Sequence, residues 1–223
     1  MSVDLKKIST ETRNQNTLDI DVVPTIEILQ KINNEDKTIA YAVEKALPQI
    51  AEVVEKVYEA FINGGRLIYM GAGTSGRIGI LDAVECPPTY GVDYNMVQCL
   101  MAGGEKAFIK AVEGAEDSLT QGKEDLININ LSCKDVVIGI AASGRTPYVI
   151  SAVDYAKSIG CVTASIATAM NSEIASHVDY KIEAVTGAEV VTGSTRLKSG
   201  TAQKLICNMI STGSMIQMGT VYK

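Results

Sequence analysis

The first twenty residues are mostly polar, and MSVDLKKISTETRNQNT holds no apolar run of the length a signal or anchor segment needs. They are expected to form an ordered or semi-ordered arm. VVPTIEILQKIN then fits a short helix with Pro24 near its start. From Asn34 to about Asn63 the apolar positions Ile39, Val43, Leu47, Ile50, Val54, Val57 and Phe61 recur at three- and four-residue steps. That is the period of a helix with one buried face, and Gly64-Gly65 supplies its stop. Pro48 lies inside the pattern, so a kink or break is expected near Leu47.

After residue 65 the pattern changes to short apolar runs separated by helical stretches, which predicts a parallel sheet covered on both faces. Strands are expected at 66–70, 96–101, 135–141, 161–167 and 180–185. Helices are expected near 76–85, across 104–127 with an internal break, and at 147–158, 172–178 and 195–217. In open sheets of this kind ligands bind outside the carboxyl ends of the strands, where the strand order reverses.

Composition narrows the class. The 223 residues suit one α/β domain with a full core, and 46% hydrophobic with 21% charged residues argues against disorder. Twenty basic against twenty-six acidic residues give a net charge of −6, and no Lys/Arg cluster interrupts that balance. Nucleic acid is therefore discounted as a partner, whereas a small anion held by local N–H groups is compatible. The five cysteines, Cys86, Cys99, Cys133, Cys161 and Cys207, are odd in number and widely spaced. They read as reduced residues of a soluble, cytoplasmic protein with no membrane segment, not as a disulfide framework or zinc site.

Ser-Gly-Arg occurs twice, at Ser75-Gly76-Arg77 and Ser143-Gly144-Arg145, each just after a strand-like run. The first N–H groups of a helix have no intrahelical partner and carry partial positive charge, so a Gly-rich turn leading into a helix suits phosphate. Gly71, Gly73, Gly76 and Gly144 permit tight turns, Thr74, Ser75, Ser143 and Thr146 add hydroxyls, and Arg77 and Arg145 add cationic donors. The plain alternative for each loop is an ordinary strand–helix turn. GAGTSG also satisfies the dinucleotide fingerprint, but the next candidate acid, Glu105, lies 29 residues beyond Gly76 behind two glycines, which argues against a nicotinamide enzyme. TGSTRLKSGTAQK (192–204) reads as a third Ser/Thr-rich loop, or as a simple helix cap with Arg196 and Lys198 as surface cations.

With His177 the single histidine, and a structural role the simpler reading for it, carboxylates are left as proton carriers. Two stand out. Glu85 in DAVECPPTY precedes Pro87-Pro88, which should hold a fixed exit from its helix, and Glu116 belongs to the acidic cluster VEGAEDS. A solvated helix end and an acid at a helix N-terminus are the respective bland readings.

GAGTSGR, DAVECPPTYG, AGGEKAF, AVEGAEDS, GIAASGRTPYV and VTGSTRLKSGTAQK, in this order and from the TETRN near the start, closely resemble the bacterial N-acetylmuramic acid 6-phosphate etherase family of the sugar isomerase (SIS) superfamily. The resemblance implies a doubly wound, mainly parallel five-stranded α/β sheet of flavodoxin-like type with N-terminal helices. Residues 1–50 would be an arm and helices packing on the SIS phosphosugar-binding domain of residues 51–223. It implies cleavage of the lactyl ether of the sugar phosphate by water, giving N-acetylglucosamine 6-phosphate and D-lactate. Glu85 would be the acid and Glu116 the second proton carrier, with burial near the prolines separating their acidities. Phosphate would be held by Gly73, Thr74, Ser75, Gly76, Arg77, Ser143, Gly144, Arg145 and Thr146. The expected partners are a sugar phosphate and a second copy of the chain, as a homodimer, with no metal or organic cofactor. The alternatives are a non-catalytic phosphosugar-binding regulator, which would not need both glutamates, and an aldose–ketose isomerase, which would not carry DAVECPPTYG. Members of the family usually continue past the segment resembling GSMIQMGTVYK into a further helical region; the sequence here ends at Lys223.

Overall fold

The computed structural model describes Thr10 and residues 12–221, so most of the expected N-terminal arm lies outside the described residues, as does Glu11 of TETRN. The elements are α1 (Thr25–Lys45), α2 (Leu47–Ile62), β1 (Leu67–Gly71), α3 (Gly73–Tyr90), β2 (Val97–Met101), α4 (Glu105–Ile109), α5 (Gln121–Asn128), β3 (Val136–Ile140), α6 (Pro147–Ser158), β4 (Val162–Ala167), β5 (Tyr180–Glu183) and α7 (Lys198–Gln217). The five strands form one all-parallel sheet in the order β2-β1-β3-β4-β5. The order reverses between β1 and β3, the neighbours from which the two Ser-Gly-Arg segments emerge.

Successive side chains of a strand point to opposite faces, and the core divides accordingly. Leu67 and Tyr69 of β1 and Ile138 and Ile140 of β3 join Ile39 and Val43 of α1, Val53 and Val57 of α2, and Ile206 and Ile210 of α7 on one face. Ile68, Met70 and Val137 join Leu126 of α5, Val149 and Val153 of α6, and Ile174 on the other. At the opposite end of the strands Arg66 Nη2 meets Asp135 Oδ2 at 2.7 Å, and the same guanidinium donates to the carbonyls of Ile129 and Asn130.

Several helix boundaries differ from the sequence expectation, each for a local reason. The short helix at Pro24 and the start of the next pattern form the single helix α1, because nothing between Asn33 and Asn34 interrupts the backbone ladder. The break does fall before Pro48, where Ala46 ends α1 and Pro48 sits in the first turn of α2. The expected helix at 172–178 is reduced to a 3-10 turn at Glu173–Ser176, and the last helix starts at Lys198 instead of Thr195. Pro87-Pro88 does not form the expected exit: α3 runs through both prolines to Tyr90. Each proline forgoes its own N–H bond and crowds the carbonyl four residues back, a cost met here near the end of the helix, and Gly91 then stops the helix in the left-handed region, its N–H donating to Pro87 O at 2.9 Å.

Candidate functional site

The GAGTSGR segment is less a loop than the sequence suggests. β1 ends at Gly71, Ala72 is extended, and α3 begins at Gly73, so Thr74, Ser75, Gly76 and Arg77 occupy its first turns. The turn packs directly on the strand end: a Cβ on Gly76 would lie 2.7 Å from Met101 Cβ and 3.0 Å from Gly71 O. Among the described residues no side chain caps this helix, and no acid stands in its first turn, so its leading N–H groups are open to an anion. The N-terminus of α7 is the contrast. There the buried Glu189 carboxylate accepts from the N–H groups of Lys198 (2.8 Å) and Ser199 (2.9 Å), occupying the donors that the third Ser/Thr-rich segment would have offered.

Two side chains of the first segment, Arg77 and Ser75, are already engaged. Arg77 forks onto two backbone carbonyls, Nε to Phe108 at 2.8 Å and Nη2 to Ala107 at 2.7 Å, and so ties α4 to α3. Ser75 Oγ turns into the protein and donates to Gln203 Oε1 at 2.9 Å. Lys198, a surface cation under one of the two readings of this segment, is buried, with Nζ 2.6 Å from Glu35 Oε2 and 3.1 Å from Ala188 O.

In the second segment Gly144 adopts φ +72°, and a Cβ there would collide with Ser172 Cβ, so no other residue fits this turn without strain. The Ser143 hydroxyl makes no hydrogen bond among the described residues, and Arg145 Nε is buried without one. Thr146 and Pro147 open α6.

These residues border three clefts. A cleft of ≈ 270 Å³ at the β1/β2 end contains Gly73 and Arg77 together with Glu113 and Glu116, the latter on the 3-10 turn Ala115–Asp117. Thr74, Ser75 and Gly76 do not line it. A groove of ≈ 390 Å³ between α3 and α7 contains Glu85 with Asp82, Lys204 and Asn208. Arg145 borders a third hollow of ≈ 490 Å³ with Lys123, Asp154 and Glu173. Glu116 is thus brought to the open end of α3, whereas Glu85 lies in a separate groove within the single chain. Both glutamates are exposed, so the burial expected near the prolines is not found at Glu85 within this single chain.

Sequence reasoning missed a buried carboxylate beside Glu85. Asp82, one turn before Glu85, is 8% exposed and accepts from Tyr69 Oη at 3.0 Å and Ser211 Oγ at 2.9 Å. Burial pushes its carboxyl above the usual range, partly opposed by those two bonds. It also missed Gln203, Glu189 and Glu35. Glu35 did carry a signal, since it shares the four-residue spacing of Ile39 and Val43 and so falls on the buried stripe of α1. His177 has the expected structural place, its Nδ1 2.7 Å from Asp154 Oδ1. Cys86, Cys161 and Cys207 are buried, Cys99 is partly buried and Cys133 is exposed, and all five are free. Among the described residues no three His, Cys, Asp or Glu side chains form a metal-binding group, and no helix is long and apolar enough to cross a membrane.

Comparison with known proteins adds a family context. The glucokinase regulatory protein N-terminal SIS domain model matches residues 49–157, and the SIS domain model matches residues 120–212. A curated N-acetylmuramic acid 6-phosphate etherase of Clostridium botulinum is 58% identical over 218 residues, 98% of this chain and 72% of that protein. The protein of the same name from Lactococcus lactis subsp. cremoris is 60% identical over 220 residues, 99% of this chain and 74% of that one. Among solved structures, a phosphoheptose isomerase from Francisella tularensis superposes with a TM-score of 0.61 at 18% identity, covering 87% of this chain and 100% of that one. A phosphoheptose isomerase from Neisseria gonorrhoeae gives 0.61 at 17% identity over 85% and 100% of the two chains. At those identities the structural likeness establishes the fold alone.

Proposed function

Because the chain belongs to the N-acetylmuramic acid 6-phosphate etherase family, we propose that its reaction runs between the open N-terminus of α3 and the carboxylates of Glu116 and Glu85. The activity is hydrolytic removal of the D-lactyl ether from N-acetylmuramic acid 6-phosphate, giving N-acetylglucosamine 6-phosphate and D-lactate by elimination and then hydration. The observation that carries the site reading is the shared cleft of Gly73, Arg77 and Glu116 at the carboxyl ends of β1 and β2, on the ligand-binding edge of the sheet and next to the β1/β3 reversal.

In the ring-opened sugar the C2 proton is acidified by the C1 aldehyde. Glu116 takes that proton while Glu85 in its acid form protonates the lactyl oxygen leaving C3. Water then adds to the unsaturated aldehyde, its hydroxyl to C3 and a proton to C2. Phosphate supplies binding energy from a part of the substrate that does not react. The N–H groups of Gly73, Thr74 and Ser75 offer the anion site, with Gly76 allowing the helix to sit against the strand end and Arg77 holding α4 beside the cleft. Ser143, Gly144, Arg145 and Thr146 stand at the adjacent strand end, where Arg145 Nε is buried without a partner among the described residues.

The separation of Glu85 from Glu116 within one chain supports a homodimer in which a second copy completes the site. Leu81 and Val84, about half exposed beside Glu85 on α3, provide an apolar face for it to cover. Glu85→Gln is expected to lower lactate release by about 10²–10⁴-fold, the range for losing a general acid, with N-acetylglucosamine 6-phosphate still bound. Turnover near the parent rate would refute the role of Glu85. Mixing inactive Glu85→Gln and Glu116→Gln chains should restore part of the activity if each site draws on two chains, and none if it does not.

A further inference from the structure

The hydroxyl of Ser75 has one hydrogen, and in this structure it is directed into the protein, onto Gln203 Oε1 at 2.9 Å. Gln203 is fully buried, and its Nε2 has no hydrogen-bond partner among the described residues. A buried amide donor without a partner is costly, so the Gln203 amide is not at rest in the way a satisfied core glutamine is. Half a turn about its last side-chain bond exchanges the two amide atoms and places Nε2 against Ser75 Oγ instead. Both orientations keep a hydrogen bond between the amide and Ser75. They differ in what Ser75 does with its proton: in one the hydroxyl gives it to Gln203, and in the other the hydroxyl receives an N–H and keeps its own hydrogen for a group in front of α3.

The backbone that carries this amide is held firmly. Glu189 fixes the first N–H groups of α7, Lys198 is paired with Glu35, and a Cβ on Gly200 would lie 3.3 Å from Thr74 Cγ2, so α7 abuts the first turn of α3. The amide plane is left as the movable part. We propose that Gln203 is a positioning residue that sets the donor direction of Ser75, its amide turning when a phosphate arrives so that Nε2 donates to Ser75 Oγ and Ser75 Oγ donates to the phosphate. This rests on the reading of the α3 N-terminus as the phosphate site.

The proposal separates two substitutions of similar size. In Gln203→Glu the carboxylate, compared at a pH high enough to ionise it in its buried place, can only accept, which holds the Ser75 proton inside the protein; in Gln203→Met nothing competes for that proton. Binding of N-acetylglucosamine 6-phosphate, measured by calorimetry, should weaken about tenfold or more in Gln203→Glu and about threefold or less in Gln203→Met, and the gap between the two should shrink when Ser75→Ala is added. The unmodified chain provides a reading that does not depend on these variants folding. The side-chain amide protons of Gln203, followed by NMR, should move downfield as the ligand saturates, and should stay in place in Ser75→Ala. Amide protons that do not move at saturation, or a Glu-to-Met gap of the same size with and without Ser75, overturn the role of Gln203 alone. An affinity unchanged by Ser75→Ala, with no preference for N-acetylglucosamine 6-phosphate over N-acetylglucosamine, overturns the phosphate site on which it rests.

Discussion

Lys198→Met removes the cation from a pair that is almost wholly out of water, with 4% of the lysine and 9% of the glutamate side chain exposed. Glu35 would then be left ionised and buried, and breaking a buried pair from one side costs about 3–5 kcal/mol. The loss should fall near the lower end, about 3 kcal/mol, because Asn16 Nδ2 still donates to Glu35 Oε1 at 2.8 Å. Ala188 O also keeps a donor, Asn14 Nδ2 at 3.2 Å. For a domain of this size that corresponds to a fall in Tm of roughly 6–12 °C. Adding Glu35→Leu removes the stranded charge and should restore at least half of the loss, with only the Asn16 amide left unmatched. In the parent protein burial tends to raise the Glu35 carboxyl, but the bonds from Lys198 and Asn16 outweigh it and the net shift is downward from 4.5. The pair's contribution is therefore complete above about pH 4.5 and is lost as pH falls through the lower folded value. In Lys198→Met the opposing cation is gone, so acid relieves the variant while it weakens the parent. Urea or thermal denaturation at pH 7 and pH 4 tests this directly. A pH 7 loss below about 1 kcal/mol, a double variant no more stable than the single one, or a gap that does not narrow at pH 4 would refute the reasoning.

Two further substitutions probe the cleft. Gly76→Ala forces a Cβ to 2.7 Å from Met101 Cβ and 3.0 Å from Gly71 O, where the backbone has little room to yield. It should cost about 1–3 kcal/mol in denaturation and raise KM for the sugar phosphate; an unchanged Tm would show that α3 can slide off the strand end. Arg77→Lys keeps the charge but cannot fork onto the carbonyls of Ala107 and Phe108. Faster amide exchange in 106–110 should accompany weaker substrate binding, and exchange at the parent rate would mean that Arg77 does not hold α4.

The sheet was legible because its signal is repeated and local. Five short apolar runs, each followed by a break, can be buried on both faces only as parallel strands, and the structure places all five within a residue or two of their expected bounds. Helix ends were less legible because they depend on partners far away in the chain. Nothing local to 192–204 shows that α7 begins at Lys198: its cap is Glu189, and its first side chain is fixed by Glu35, 163 residues earlier. The prolines misled for the opposite reason. Pro87-Pro88 carries a strong local signal for a break, and the burial of Ala83, Cys86 and Pro87 against the core holds the helix through it. Asp82 and Gln203 look like ordinary polar positions of two helices until α3 and α7 are laid side by side.

That pairing of helices gives the N-terminal motif a physical role. Asn14 and Thr17 donate to the carbonyls of Ala188 and Val190, and Asn16 donates to Glu35, so residues 14–17 hold the segment that caps α7. α7 in turn presents Gln203 to Ser75 at the start of α3, and Lys204 and Asn208 to the groove of Glu85 near its end. The two proposed functions of α3, holding phosphate at one end and carrying an acid toward the other, thus share one supporting helix. A loosened arm should therefore disturb substrate affinity and turnover together, whereas damage confined to the α3 N-terminus should act on affinity first. Asn16→Ala tests the difference: it removes a donor from Glu35 and touches neither Ser75 nor Glu85, so a parallel change in KM and kcat is the signature expected of an effect carried through α7.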